Sequence, residues 1–267
     1  MAQVIGVISL KGGVGKTSTV VSLGASLAKD FSQRVLIVDA NYSAPNLGHH
    51  FGLTNPEKTI QDVLSDKTDI KDVIHEHEDS GLHIIPAAMI ARKVQDPFAL
   101  KKKLNQIKKY YDYILIDSSP SLNEEIVSTM AASDQLFVVT TPDTPTLEST
   151  MKAIRIARQK SIPITGLILN KVRGKNFETS IEDIEKLTGV PVIAKIRDHD
   201  HALEAVAKQH PVTMLKEKSP VSIEYKKLAA AITGKHYSDP RFHAKVADAF
   251  RRQPEKQVIN RHILYYS

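Results

Sequence analysis

The chain has 267 residues, 42% of them apolar and 25% charged, with a formal net charge of +6. That is enough apolar material for a sizeable core, and it excludes a disordered, collagen-like or peptide-scaffold architecture. There is no cysteine, which removes disulfides, thiolate zinc sites, cysteine-held iron–sulfur clusters and cysteine nucleophiles together.

Met1–Leu10 carries no basic stretch ahead of its apolar residues, so no signal peptide is expected. No apolar run approaches the length of a membrane span, and the chain reads as cytoplasmic. Val4–Ser9 is a Val/Ile-rich strand. The helix expected over Thr17–Lys29 places Val20, Leu23, Leu27 and Ala28 on one stripe, with Gly24 allowing close packing. The alternation then continues. Strands are expected at Val35–Val38, His83–Pro86, Tyr113–Asp117, Gln135–Thr140, Ile164–Asn170 and Val190–Lys195. Helices are expected at Pro97–Lys109, Asn123–Ala132, Pro145–Gln159, Ser180–Leu187, His201–Gln209 and Ser222–Ile232. Short apolar strands separated by helical segments imply an α/β fold, a doubly wound and mostly parallel sheet flanked by helices on both faces. Gly234 reads as a helix stop, so residues 1–233 form one domain and residues 234–267 a basic tail. That tail holds seven basic and three acidic residues, so most of the net charge lies there.

The most informative stretch is Leu10-Lys11-Gly12-Gly13-Val14-Gly15-Lys16-Thr17, between a strand and an amphipathic helix. A glycine-rich turn at that place offers backbone N–H groups and the positive end of a helix to an anion. Lys16 can then reach β- and γ-phosphates, and Thr17 can ligate Mg²⁺. Leu10 stands where the generic phosphate loop has glycine. Asp117, ending an apolar strand, is placed to hold Mg²⁺ directly or through water, and Asp39, ending the second strand, is read in the same way. Asp117 could instead cap the helix that follows, and Asn170, at another strand end, could be a turn residue.

The pattern K-G-G-x-G-K-T resembles the deviant phosphate loop of the MinD/ParA family of P-loop ATPases, and the resemblance runs to about Thr233, nearest the MinD branch. It is carried further by Ile37-Val38-Asp39-Ala40-Asn41, Asn46-Leu47, Phe51-Gly52-Leu53, Ile116–Leu122, Thr141-Pro142-Asp143 and Leu169-Asn170-Lys171. The resemblance implies an ATPase that uses ATP and Mg²⁺ and dimerises around nucleotide. It implies that Gly12, Gly13, Val14, Gly15, Lys16, Thr17 and Ser18 form the phosphate site, with Lys11 reaching the partner's phosphates. It also implies that Asn170 reads the adenine base, with Asp198 in the loop beside it. An activating protein partner is expected. In the family a second acid usually orients the attacking water, and here that position is Asn41. An amide offers a carbonyl oxygen but neither charge nor proton acceptance, so slow hydrolysis with intact ATP binding is expected. A ParA-like ATPase binding nonspecific DNA remains the alternative, since Asp117-Ser118-Ser119-Pro120-Ser121-Leu122 is nearer that version of the loop. A switch that binds ATP and hardly hydrolyses it is the other.

Three further stretches carry less. Asp198-His199-Asp200-His201 cannot converge on one ion from an extended segment without a special turn, and His75-Glu76-His77-Glu78-Asp79 reads as a solvated loop. In the tail, Phe242, Val246 and Phe250 share one helical face beside Arg241, Lys245, Arg251 and Arg252. That pattern suits a short basic amphipathic helix for peripheral contact with the inner face of the membrane. A helix packed on its own domain or a disordered basic end fits the same residues.

Overall fold

The computed structural model describes residues 1–89, 94 and 96–239. The Val/Ile-rich runs become seven strands, and an eighth comes from a polar segment. These are β1 (Gln3–Ile8), β2 (Val35–Ala40), β3 (His75–His77), β4 (Leu82–Ile85), β5 (Tyr113–Ser118), β6 (Gln135–Thr140), β7 (Ile164–Val172) and β8 (Val192–Arg197). They form one sheet in the order β3-β4-β2-β5-β1-β6-β7-β8, parallel throughout except for β3 against β4. β2 and β6 are buried at every position, as strands covered on both faces must be.

Nine α-helices lie among the described residues: α1 (Lys16–Lys29), α2 (Ile60–Leu64), α3 (Leu100–Ile107), α4 (Glu124–Ala132), α5 (Thr144–Gln159), α6 (Ile181–Thr188), α7 (Asp200–Ala207), α8 (Val212–Leu215) and α9 (Pro220–Ile232). Strand residues alternate between two cores. Ile5, Ile37, Leu115 and Phe137 pack with α1, α7, α8 and α9, whereas Val4, Leu36, Ile114 and Leu136 pack beneath α2–α6. In α1, Leu23 and Leu27 are fully buried, each contributing about 1.5–3 kcal/mol. Gly24 lets the helix sit on the sheet, because a Cβ there would stand 2.8 Å from Ile37 Cγ2. Tyr225 of α9 fixes the same helix from outside, its hydroxyl 3.1 Å from Thr19 Oγ1. The helix stop at Gly234 is present, with φ +65° and the Lys235 N–H closing onto Ala230.

The solvated loop expected at 75–79 is corrected. Residues 75–77 pair antiparallel with β4, His77 opposite Leu82, and the turn is confined to the residues between them. An edge strand can be polar because charge on an edge blocks further pairing, so no apolar alternation marked it. The tail residues Arg241–Phe250 lie outside the described residues.

β1 is the central strand that orders the site. The chain fills one side of it with β2–β5 and then crosses to build β6–β8 on the other. Its carboxyl end is therefore the switch point where neighbouring connections leave in opposite directions, the place where open α/β sheets bind ligands.

Candidate functional site

The turn from Leu10 to Gly15 leaves β1 at that switch point and enters α1 through Gly15, which adopts φ +91°. No side chain caps α1, so its first N–H groups face the cleft. A Cβ on Gly15 would overlap Asn170 Nδ2. The Asn170 amide itself donates to the Val14 carbonyl at 2.7 Å, while its oxygen accepts from Lys171 N–H at 2.9 Å. In this structure Asn170 buttresses the loop while also lining the cleft, so its amide is engaged apart from any base.

The cleft encloses about 710 Å³ and is lined by Lys11–Ser18 together with Asn41, Asn170 and Asp198. Lys16 is buried, its Nζ 3.0 Å from Asp117 Oδ1. Thr17 Oγ1 donates to Asp117 Oδ2 at 2.6 Å. Asp117 does not cap α4, because Asn123 does, accepting from Ile126 N–H at 3.2 Å. Lys11 is exposed on the lip of the cleft, facing a second cavity of about 280 Å³ that holds Asp143. The Asp143 carboxyl lies below the usual range: burial acts to raise it, but hydrogen bonds from Thr141 and Thr146 and the Lys11 charge outweigh that.

Asp39 stands directly beside Asp117, because β2 and β5 pair in that register. Its oxygens accept from the backbone N–H groups of Asn41 at 3.0 Å, Asn46 at 3.2 Å and Leu47 at 3.1 Å. The carboxylate thus shapes the loop after β2. Burial, and then repulsion from Asp117, raise its pKa well above the ordinary carboxylate value, against the opposing amides and Lys16. Asn41 is buried in the same loop. Its Nδ2 donates to the Ala44 carbonyl, and its Oδ1 has no partner.

Asp198 lies at the far end of the cleft, where Arg173 Nε meets its Oδ2 at 2.7 Å. The neighbouring His199 caps α7, its Nδ1 accepting from His201 N–H at 3.2 Å. Asp198 and His199 are therefore engaged in separate contacts. His49, His50, Arg173 and Arg197 also line the cleft and were not anticipated. Arg173 and Arg197 could have been found from their places at strand ends. His49 and His50 carried no signal beyond lying past the turn that Asp39 holds.

Loop, helix and strand-end carboxylate together define the class, a P-loop nucleotide-binding protein. A family model described as an AAA domain matches residues 2–161. An uncharacterised ATP-binding protein of Methanocaldococcus jannaschii is 32% identical over 235 residues, covering 87% of this chain and 88% of that one. The cell division ATPase MinD of Pyrococcus furiosus superposes with a TM-score of 0.83 at 28% identity, over 88% of this chain and 99% of that one. The septum site-determining protein MinD of Pyrococcus horikoshii, solved with Mg-ADP, gives 0.82 at 26% identity, over 95% and 100%. The chain belongs to the MinD/ParA family of P-loop ATPases.

Proposed function

We propose that the protein is a MinD-type nucleotide switch, an ATPase that dimerises with ATP, hydrolyses it slowly and thereby positions a division or other surface-bound assembly. The observation that carries this reading is the opposite disposition of two lysines in one loop. Lys16 is turned inward against Asp117, and Lys11 is exposed at the lip. The first serves a nucleotide in its own cleft, and the second is free to reach one held by a neighbouring subunit.

The residues fit ATP and Mg²⁺. The glycine turn and the uncapped start of α1 supply amides to the phosphates, and Thr17 and Asp117 bring two hard oxygen donors within 2.6 Å of each other. The relative from P. horikoshii was solved with Mg-ADP. Bound there, Mg²⁺ would neutralise charge on the β- and γ-phosphate oxygens. Lys16 would exchange its contact with Asp117 for the phosphates. Lys11 of a second copy would add positive charge where the transferring group gains negative charge, making hydrolysis conditional on pairing. Asn41 would orient the attacking water through its unpartnered Oδ1 without taking its proton. Asp39 would keep that loop in place, and Asn170 and Asp198 would bound the base end. Residues 1–233 would be the ATPase domain and residues 234–267 a tail for peripheral membrane contact, with a protein partner stimulating turnover. No described helix is long and apolar enough to cross a membrane.

Light scattering after size exclusion tests the reading. Wild type should double in mass with ATP but not ADP. Lys16→Ala should lose nucleotide binding, and Lys11→Ala should bind ATP yet stay at monomer mass. An unchanged wild-type mass in ATP would overturn it.

A further inference from the structure

Several of the eleven histidines have visible employment. His199 caps α7, His83 Nδ1 meets the Tyr111 hydroxyl at 2.8 Å, and His50 is buried in the cleft wall. His77 and His210 stand apart from these. They come from distant parts of the chain, yet their ring centroids lie 5.5 Å apart. Asp79 joins them, so that one ligand atom from each of the three residues lies within 4.8 Å of the others.

Both imidazoles are placed by the local fold. His77 ends β3, and the N–H groups of Ser80 and Gly81 close the hairpin turn onto its carbonyl at 3.1 and 2.9 Å. Ser80 Oγ lies 2.8 Å from His77 Nδ1, which orients the ring and leaves Nε2 for another partner. A ligating histidine is commonly held this way through its second nitrogen. Phe51 also packs against the His77 ring in a T-shaped contact, with centroids 5.1 Å apart. His210 follows the close of α7, where Gln209 and His210 donate to Val206 and Ala205. Gln209 takes φ +54°, a left-handed position that local preference would give to glycine, and the turn delivers His210 towards the hairpin.

We propose that His77, Asp79 and His210 bind a divalent transition-metal ion of the zinc class, which ties the edge hairpin β3–β4 to the α7–α8 connection. Two imidazoles and one carboxylate are donors for zinc, cobalt, nickel or copper, and they offer too few oxygens for Mg²⁺ or Ca²⁺. Tetrahedral ligands at zinc bond lengths stand about 3.4 Å apart, so the three groups need to close by up to about 1.4 Å from their outer separation of 4.8 Å. Asp79 is exposed and His77 and His210 are only partly buried, which leaves the side chains room for that movement. Solvent would complete the coordination. His210 also lines the nucleotide cleft, so the ion would anchor one wall of that cleft to the sheet edge. The inference does not depend on what occupies the cleft.

Calorimetric titration of untagged, chelator-stripped full-length chain with zinc chloride, in excess Mg²⁺, tests it. Wild type should bind one equivalent with micromolar or tighter affinity, and His77→Ala or His210→Ala should weaken binding tenfold or more. His199→Ala, which alters the other close histidine pair, should leave it unchanged. Cobalt should give the visible absorption of a tetrahedral site in wild type, absent from the two variants. Metal-free melting curves establish that the variants fold, and His210→Asn replaces His210→Ala if the latter does not. Absence of stoichiometric zinc binding, equal affinity in the His77 and His210 variants, or loss only in His199→Ala would overturn the proposal.

Discussion

Gly15 is where backbone geometry and a tertiary contact meet, and replacing it with alanine separates the two. An alanine at φ +91° bears the strain of a positive φ, about 1–2 kcal/mol. Its Cβ would also overlap Asn170 Nδ2 and stand 3.4 Å from Asn170 Cγ. The amide would have to leave the Val14 carbonyl, forfeiting a hydrogen bond of about 0.5–1.5 kcal/mol. The expected destabilisation of the nucleotide-free chain is therefore about 1.5–3.5 kcal/mol. Gly81 supplies the comparison, because it has φ +64° and nothing within 4 Å of a built Cβ. Gly81→Ala should show the backbone strain alone, about 1–2 kcal/mol. Urea denaturation followed by circular dichroism gives both values, and a cycle with Asn170→Ala isolates the contact. In the Asn170→Ala background, Gly15→Ala should cost about 1 kcal/mol less than in wild type. An equal cost for Gly15→Ala and Gly81→Ala, or no relief without the Asn170 side chain, would refute the reasoning.

Lys16→Ala should destabilise the nucleotide-free chain by about 3 kcal/mol or more, because it leaves the fully buried Asp117 carboxylate without its cation; thermal melting measures this, and a loss below about 1 kcal/mol would contradict it. His50 has its pKa lowered from 6.5, chiefly by burial, with Asp117 opposing and His49 adding. Its contribution to stability should therefore be complete above pH 6.5 and fall as the medium becomes more acidic, since the unfolded chain takes up the proton first, by at most about 1.4 kcal/mol per pH unit. Urea midpoints at several pH values should show that slope in wild type and a shallower one in His50→Gln. Asn41→Asp should raise the rate of phosphate release roughly tenfold, a modest share of what a positioned base can supply, and no increase would remove Asn41 as the limiting feature.

The parallel core was legible in the sequence because burial on both faces demands uninterrupted apolar runs, and Leu36–Val38 or Leu136–Val139 can be little else. β3 was not, because its partner is β4 on one side and solvent on the other, and His75-Glu76-His77 carries the polarity of an exposed edge. The short helices α2 and α8 are one or two turns held by tertiary contact, below the length at which periodicity is a signal. The same division runs through the site. Lys11–Thr17 is contiguous, so its geometry follows from local chemistry. The adjacency of Asp39 and Asp117 depends on the register between β2 and β5, which no local pattern encodes. Nor does any local pattern bring Asn170 to the Val14 carbonyl or His210 to His77.

Asn41 shows what the folded loop adds even where the contacts are local. Read along the chain, it is an acid lost from a familiar position, a simple deficit of charge. In the fold, its Nδ2 donates to the Ala44 carbonyl while Asp39 gathers the amides of Asn41, Asn46 and Leu47. An aspartate at 41 could not make the first of these bonds, and it would set a carboxylate oxygen against the Ala44 carbonyl, next to two buried acids. The loop is fitted to the amide. Asn41→Asp should accordingly lower stability by about 1–3 kcal/mol even as it speeds hydrolysis, because a carbonyl loses its donor and a third negative group enters the same wall. Opposite shifts in rate and stability would mark Asn41 as part of how the loop is built. A faster enzyme of unchanged stability would mean that the Ala44 contact contributes nothing, and that the substitution acts on the water alone.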